Sequence, residues 1–343
     1  MALRLLIIGA NGFIGSHLID AILARTDWHV TALDQRSNYL EPHLDNPHFS
    51  LKVGDMTQEQ VWLDTAIADC DVVLPLAAIA TPKTYVTHPL RVFELDFEAN
   101  LAIIKRCVAL NTRVVFPSTS EVYGMCPDQA FDEYTSPCVT GPISKPRWIY
   151  SASKQLLDRV IAAYGQEQGF AYSLFRPFNW IGPRLDNLHN PEAGSSRVIT
   201  HFMGQLLRGE AITIVGDGAQ CRSMIDVRDG IDCLLKIIAN ENDVAHQAIF
   251  NIGHPGNEIS IKALAEKLQQ RFLAEPRLAA NAAKSHITFT PAAQFYGEGY
   301  QDVDRRVPAI VQAHEKLGWQ PQRSLDNAID SLLDDLLQQL DAA

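Results

Sequence analysis

No run of apolar residues approaches the roughly 20 that a membrane-crossing helix needs, so a membrane span is excluded. The apolar start, LRLLIIG, is too short for a signal peptide and runs straight into a glycine motif; a cytoplasmic location is the expectation. The six cysteines (Cys70, Cys107, Cys126, Cys138, Cys221, Cys233) form no C-x-x-C pair and have no histidines near them at metal spacing. That pattern excludes a zinc ribbon or a thioredoxin-like motif, so no metal is expected and the thiols read as reduced, small and mostly buried. A basic balance is missing too: 29 Lys and Arg against 40 Asp and Glu leave a net charge of -11. No nucleic-acid partner is expected, and an anionic ligand would have to be held by a few locally placed arginines. Internal repeats and low-complexity tracts are also absent.

What is present is an ordinary globular composition, 47% hydrophobic over 343 residues, enough for one large domain or two coupled ones. Short β-rich runs alternate with helical patterns: LRLLIIG, a helix through Ala24, WHVTALD, FSLKVGD, DVVLPLAA, a helix from Pro89 to Leu110, RVVFPST, a helix from Tyr150 to Gln166, and AYSLFRPFN. Continuous apolar strands between helices predict an α/β fold with a doubly wound parallel sheet. After Asn179 the pattern loosens into a Pro/Asn/Gly-rich stretch, IGPRLDNLHNPEAGSSR, and the alternation does not restart. Residues 1–180 are therefore read as a Rossmann domain. Residues 181–343 are read as a smaller lobe that returns some elements to the main sheet and ends in helices near Ile261–Phe272 and Leu325–Leu340.

Gly9-Ala10-Asn11-Gly12-Phe13-Ile14-Gly15 follows the first strand and opens the first helix. Glycines there allow a tight turn and close approach to a pyrophosphate, which the helix N-terminus attracts. Asp34 ends the second strand, about twenty residues on, where a carboxylate accepts hydrogen bonds from the adenosine ribose of NAD and repels a 2′-phosphate. Arg36 leaves NADP open, and Asp34 as a plain turn residue is the bland alternative. Asp55 suits the adenine end or a turn.

Tyr150 and Lys154 form Y-x-x-x-K, one face of a helix. A phenol of ordinary pKa near ~10 is a weak base, but a nearby ammonium and a cationic nicotinamide favour its phenolate. Ser118-Thr119-Ser120-Glu121 lies at the C-terminal end of RVVFPST, the edge where ligands bind in parallel sheets; a simple Ser/Thr cap is the alternative.

Together with Arg176-Pro-Phe-Asn179 and Gly216-Asp-Gly-x-Gln220-x-Arg222, these motifs resemble the extended short-chain dehydrogenases across nearly the whole chain. PLAAIATP, HPLRVFELDFEAN, FPSTSEVYGMC, KPRWIYSASKQLLDRVI, LFRPFNWIGPRLDN, GSSR and YGEGYQDVDRR resemble more narrowly the UDP-glucuronate decarboxylases, in particular the decarboxylase half of the bifunctional polymyxin-resistance enzymes. The resemblance implies NAD, a UDP-sugar substrate, and a homodimer through the Pro89–Leu110 and Tyr150–Gln166 helices. It implies that Thr119 and Tyr150 handle the C4 hydroxyl, with Lys154 tuning the tyrosine and holding the nicotinamide ribose. Ser120 and Glu121 would sit near C5 and the carboxylate, with Arg306 as the acid or charge partner. Asn179, Arg197, Arg222, Tyr85 and Tyr300 would bind UDP and sugar; otherwise the arginines read as surface ion pairs and the tyrosines as packing.

The chemistry that follows is C4 oxidation and loss of CO2, giving a UDP-4-keto-pentose, or UDP-xylose if the hydride returns. Alternatives on this scaffold are an NDP-sugar 4-epimerase or 4,6-dehydratase, or a UDP-apiose/UDP-xylose synthase. A dehydratase would be expected to carry an Asp-Glu pair after the threonine. An NAD-binding regulatory protein would be expected to have lost the tyrosine or lysine. Two departures stand out: Met1 lies at the first strand, so a preceding formyltransferase domain is not expected, and Ala219 and Cys221 stand where that family has lysines.

Overall fold

The computed structural model describes residues 2–189 and 196–342. Gly194 and Ser195 of the GSSR segment, and the adjoining residues 190–193 of the Pro/Asn/Gly-rich stretch, lie outside them. The strands in chain order are β1 (Arg4–Ile8), β2 (His29–Asp34), β3 (Phe49–Val53), β4 (Val72–Pro75), β5 (Arg113–Pro117), β6 (Tyr172–Pro177), β7 (Trp180–Ile181), β8 (Ile212–Val215), β9 (Cys221–Ser223), β10 (Ile225–Asp226), β11 (Ala248–Ile252), β12 (Glu258–Ser260), β13 (Ile287–Thr290) and β14 (Arg305–Arg306).

Seven strands form one parallel sheet in the order β11-β6-β5-β4-β1-β2-β3. Ile7 lies opposite Ala32 on one side and Leu74 on the other. Side chains alternate across a strand, so Leu5 and Ile7 enter one core while Leu6 and Ile8 enter another. The first core includes the helices Phe13–Arg25 and Val227–Ala239, and the second includes Ile103, Ile104, Leu157 and Ile161. Helices on both faces explain why these strands are apolar throughout. The chain moves outward from β1 through β2 and β3, then crosses back to β4 on the other side of β1, which opens a crevice beyond the carboxyl ends of β1 and β4.

A third core joins β8 to the helices Val198–Arg208, Ile261–Ala274 and Leu325–Ala342. Small sheets stitch this part together: β10 with β7, β13 with β8, and β12-β9-β14. The last of these pairs Arg306 with Arg222, from segments far apart in the chain.

The stretch from Pro89 to Leu110 is helical throughout, but it is not the regular helix that its pattern predicts: Glu94–Ala99 is a π-helical segment. The Asn100 amide donates to the Leu95 carbonyl at 2.9 Å, satisfying an acceptor of the wider turn. Such turns are rare and cluster at functional sites. No helix among the described residues is long and apolar enough to cross a membrane. All six cysteines are free; Cys70, Cys107 and Cys233 are buried, and Cys126, Cys138 and Cys221 are partly exposed.

Candidate active site

Two clefts open along the carboxyl edge of the sheet. The first, about 640 Å³, is lined by Gly9, Asn11, Gly12, Asp34, Arg36, Asp55 and the loop after β4. Gly9 has φ +82, and a Cβ there would stand 2.6 Å from the Ala77 nitrogen, so the turn and the close pass of the β4 loop both require glycine. A Cβ on Gly15 would meet the Gly9 and Ala10 carbonyls at 2.6 Å, which explains how the helix start sits so close to the loop. Gly12 is different: a Cβ there would meet only the Gly9 carbonyl, at 3.2 Å, and would otherwise project into the cleft. That is the space that a pyrophosphate at the helix N-terminus needs.

The carboxylate of Asp34 accepts the Asn11 backbone N–H at 2.9 Å and the Arg36 backbone N–H at 3.0 Å, which fixes it at the cleft wall with lone pairs to spare. These residues fit the dinucleotide. Asn11 ties its side chain to Asn38 and to the Tyr39 backbone, at 2.9 and 2.8 Å. Asp55 accepts from Thr57 N–H at 2.8 Å and from Gln35 at 2.9 Å, so it closes its own turn while facing the cleft.

The second cleft, about 320 Å³, brings together Tyr85, Thr119, Ser120, Glu121, Tyr150, Asn179, Arg197, Arg222, Tyr300 and Arg306, together with Phe13 and Ile14. The two clefts meet where Gly12 passes to Phe13 and Ile79 to Ala80. Sequence reading groups Phe13 and Ile14 with the cofactor contacts, and they line the second cleft rather than the first. Lys154 and Gly15 line neither.

The turn that carries Thr119–Tyr123 is tied to the helix Trp148–Gln168: Ser151 donates to the Glu121 carbonyl, and Gln155 donates to the Val122 carbonyl at 2.7 Å. Tyr150 and Thr119 are thereby held together on one wall of the second cleft. Burial pushes the Tyr150 phenol well up, with the carboxylates of Asp96 and Glu121 adding to the effect, while Thr119 and Arg197 act the other way. Tyr85 stacks on Tyr150 with ring centroids 4.7 Å apart. Burial lowers the Lys154 ammonium, and its pair with Asp96 opposes that.

Glu121 is gripped on both oxygens, by Arg147 at 2.8 Å and Arg306 at 2.5 Å. Burial alone would raise its carboxyl, but Arg147, Arg306 and Arg222 together bring it down to about 2. Arg222 pairs with Asp302 at 2.7 Å. Three guanidinium groups (Arg147, Arg222, Arg306) thus face two carboxylates (Glu121, Asp302), leaving one surplus positive charge in a buried wall. The Nε of Arg306 and the Nε and Nη1 of Arg147 have no hydrogen-bond partner among the described residues. Arg197 stands at the edge, paired with Asp186 at 2.5 Å. Asn179 donates to the Ser223 carbonyl at 3.0 Å from a left-handed backbone, φ 41.

Four of these residues escape sequence reading. Arg147, 1% exposed and stacked on Trp148 at 4.4 Å, buttresses Glu121 from 26 residues away. Its only signal is its place in KPRWIY, one turn before Tyr150. Asp96 faces Lys154 from the π-helical segment, and a carboxylate inside an apolar helix is its signal. Asp302 lines the cleft from within YGEGYQDVDRR, its only signal, and His201 lines it without a motif.

The family model described as NAD dependent epimerase/dehydratase family matches residues 5–253. The solved structure of PbgP3 protein from Burkholderia pseudomallei is 46% identical, covers 98% of this chain and 96% of that one, and superposes with a TM-score of 0.89. UDP-glucose 4-epimerase of Thermotoga maritima, solved with UDP-glucose, is 22% identical over 98% of this chain and 100% of that one, with a TM-score of 0.80. DesIV of Streptomyces venezuelae, a dTDP-glucose 4,6-dehydratase with NAD and TYD bound, is 22% identical over 98% and 97%, with a TM-score of 0.81. The last two likenesses speak to the fold alone. The glycine cradle and Asp34 fit the family's cofactor, and with most of its length matched the chain belongs to the NAD dependent epimerase/dehydratase family, an enzyme family whose cofactor is NAD.

Proposed function

We propose that the protein is a UDP-glucuronate decarboxylase that oxidises C4 of the sugar and releases CO2 from C6. The observation that carries this reading is the buried arginine wall around Glu121, which has one surplus positive charge and of which Arg222 and Arg306 line the cleft together with Tyr150 and Thr119. A sugar carboxylate supplies the missing negative charge, whereas a neutral hexose leaves a buried guanidinium uncompensated, which is costly. An epimerase needs no such wall.

Bound NAD supplies the hydride acceptor at C4. Tyr150 takes the C4 hydroxyl proton while Thr119 holds that oxygen. The new C4 ketone lies β to the C6 carboxylate; the C5–C6 bond breaks, CO2 departs, and its electron pair passes into an enolate at C4–C5. Arg306 orients the carboxylate and Glu121 fixes Arg306, so the charge that moves is met by groups already in place. A proton then returns to C5. Arg222, Asn179, Arg197, Tyr85 and Tyr300 hold the nucleotide and sugar in this reading.

Purified protein mixed with UDP-glucuronate and NAD tests it, with NADH followed by absorbance and the sugar by proton NMR. Either NADH with a UDP-4-keto-pentose or UDP-xylose without NADH supports decarboxylation, and the two results distinguish release from return of the hydride. Turnover of UDP-glucose or dTDP-glucose instead, with UDP-glucuronate untouched, would replace the reading by epimerase or 4,6-dehydratase.

A homodimer belongs to the same proposal. Leu90 is 73% exposed and Leu156 is 49% exposed, on helical segments that lie side by side. Burying that face in a two-fold pair removes apolar surface from water. Light scattering at micromolar concentration is expected to give the mass of two chains, and a one-chain mass would refute it.

A further inference from the structure

Lys154 is not free to act on Tyr150 alone. Its ammonium donates to the Pro117 carbonyl at 3.1 Å and lies 4.8 Å from the Phe116 ring centroid. The Asp96 carboxylate sits 3.8 Å from it, with the lysine 1% and the aspartate 0% exposed. One Asp96 oxygen accepts the Ile79 backbone N–H at 3.0 Å. The other, the one nearest Lys154, has no hydrogen-bond partner among the described residues. An asparagine would serve Ile79 equally well, so what the aspartate adds is charge.

We propose that Asp96 is a positioning residue that acts through Lys154, cancelling the ammonium so that Tyr150 stays a neutral phenol until oxidised, cationic nicotinamide lies beside it. The proposal reaches beyond decarboxylation, because it concerns the base used for any sugar oxidation here, and it holds or fails whichever sugar is turned over.

The groups around Tyr150 support it. Asp96 and Glu121 oppose the phenolate, as burial does; the Thr119 hydroxyl and Arg197 favour it, and Tyr85 covers the ring. Asp96 itself faces Lys154 and the Ile79 N–H, and burial lifts its carboxyl to about 6. Lys154 faces Asp96 and Asp158. With Asp96 spent against the lysine, burial and Glu121 are what keep the phenol neutral against the Thr119 hydroxyl and Arg197. A positive charge brought within a few ångströms then lowers a phenol's pKa by about 1–3 units, and the cofactor is the charge that comes and goes.

The test counts protons released into a dye-reported, weakly buffered solution when cofactor is added to cofactor-free protein between about pH 7 and 11. Wild type is expected to release a proton with NAD and none with NADH, and Tyr150→Phe to release none. In Asp96→Asn the pH of half-release falls by about one unit, and the acid limb of kcat/KM moves with it. In Lys154→Met it rises. An Asp96→Asn curve that overlays wild type overturns the proposal, as does release that survives Tyr150→Phe or is equal for NAD and NADH. Should Asp96→Asn fail to fold, an unmoved Lys154→Met curve overturns it as well.

Discussion

Tyr150→Phe is expected to lower kcat on UDP-glucuronate by roughly 10²–10⁴-fold, the usual contribution of a positioned acid–base group. The loss should fall on kcat and leave KM nearly unchanged, because phenylalanine keeps the stack on Tyr85 and the buried ring. The hydroxyl that is removed shares the cleft wall with that of Thr119 and is the group assigned to take the proton from the sugar hydroxyl. Steady-state kinetics checks this result, and thermal melts that coincide with wild type exclude a folding defect. A variant that kept wild-type kcat would remove Tyr150 as the base and leave Thr119 without a partner.

Arg306→Ala is the second large effect, with an expected loss of about 10²–10³-fold in kcat on UDP-glucuronate, comparable to removing one preorganised charge donor. Glu121 remains held by Arg147 at 2.8 Å, and β14 is held by backbone pairing to β9, so the strand survives. The stability cost should therefore stay below the roughly 3–5 kcal/mol of a fully broken buried pair. The sign with pH follows from Glu121. Its carboxyl, set at about 2 in the folded chain against an ordinary 4.5, stabilises the fold above the ordinary value, and that stability is lost as pH falls through the folded value. Losing Arg306 raises the folded pKa toward the ordinary one, so urea melts of the variant should show a smaller loss of stability between neutral and acid pH than wild type. Arg306→Lys should recover only part of the activity, since an ammonium lacks the planar fork.

The glycine motif, the apolar strands and Tyr150-x-x-x-Lys154 were legible because each is local: a few neighbouring residues determine a turn, a strand or a helix face. Pairings across sequence were not. Arg147 and Glu121 meet only because the helix Trp148–Gln168 is tied to the Thr119 turn, and Arg306 reaches Arg222 only through two- and three-residue strands too short to leave a pattern. The π-helical turn at Glu94–Ala99 hides within a helical periodicity, because one inserted residue shifts a face without removing its apolar positions. Asp96, an acid between Leu95 and Phe97 in sequence, is fully buried in the fold, and the periodicity alone does not show which face it takes. Asp55 reads alike both ways, since the turn it closes also borders the cofactor cleft.

The most direct measurement places ¹³C at C6 of UDP-glucuronate and follows dissolved ¹³CO2 and bicarbonate during incubation with NAD. The account predicts that the label leaves the sugar in wild type at the rate of substrate loss, and that in Tyr150→Phe and Arg306→Ala it stays put over the same time. Label retained in a nucleotide sugar while wild-type enzyme consumes the substrate would contradict decarboxylation, and with it the role given to the arginine wall.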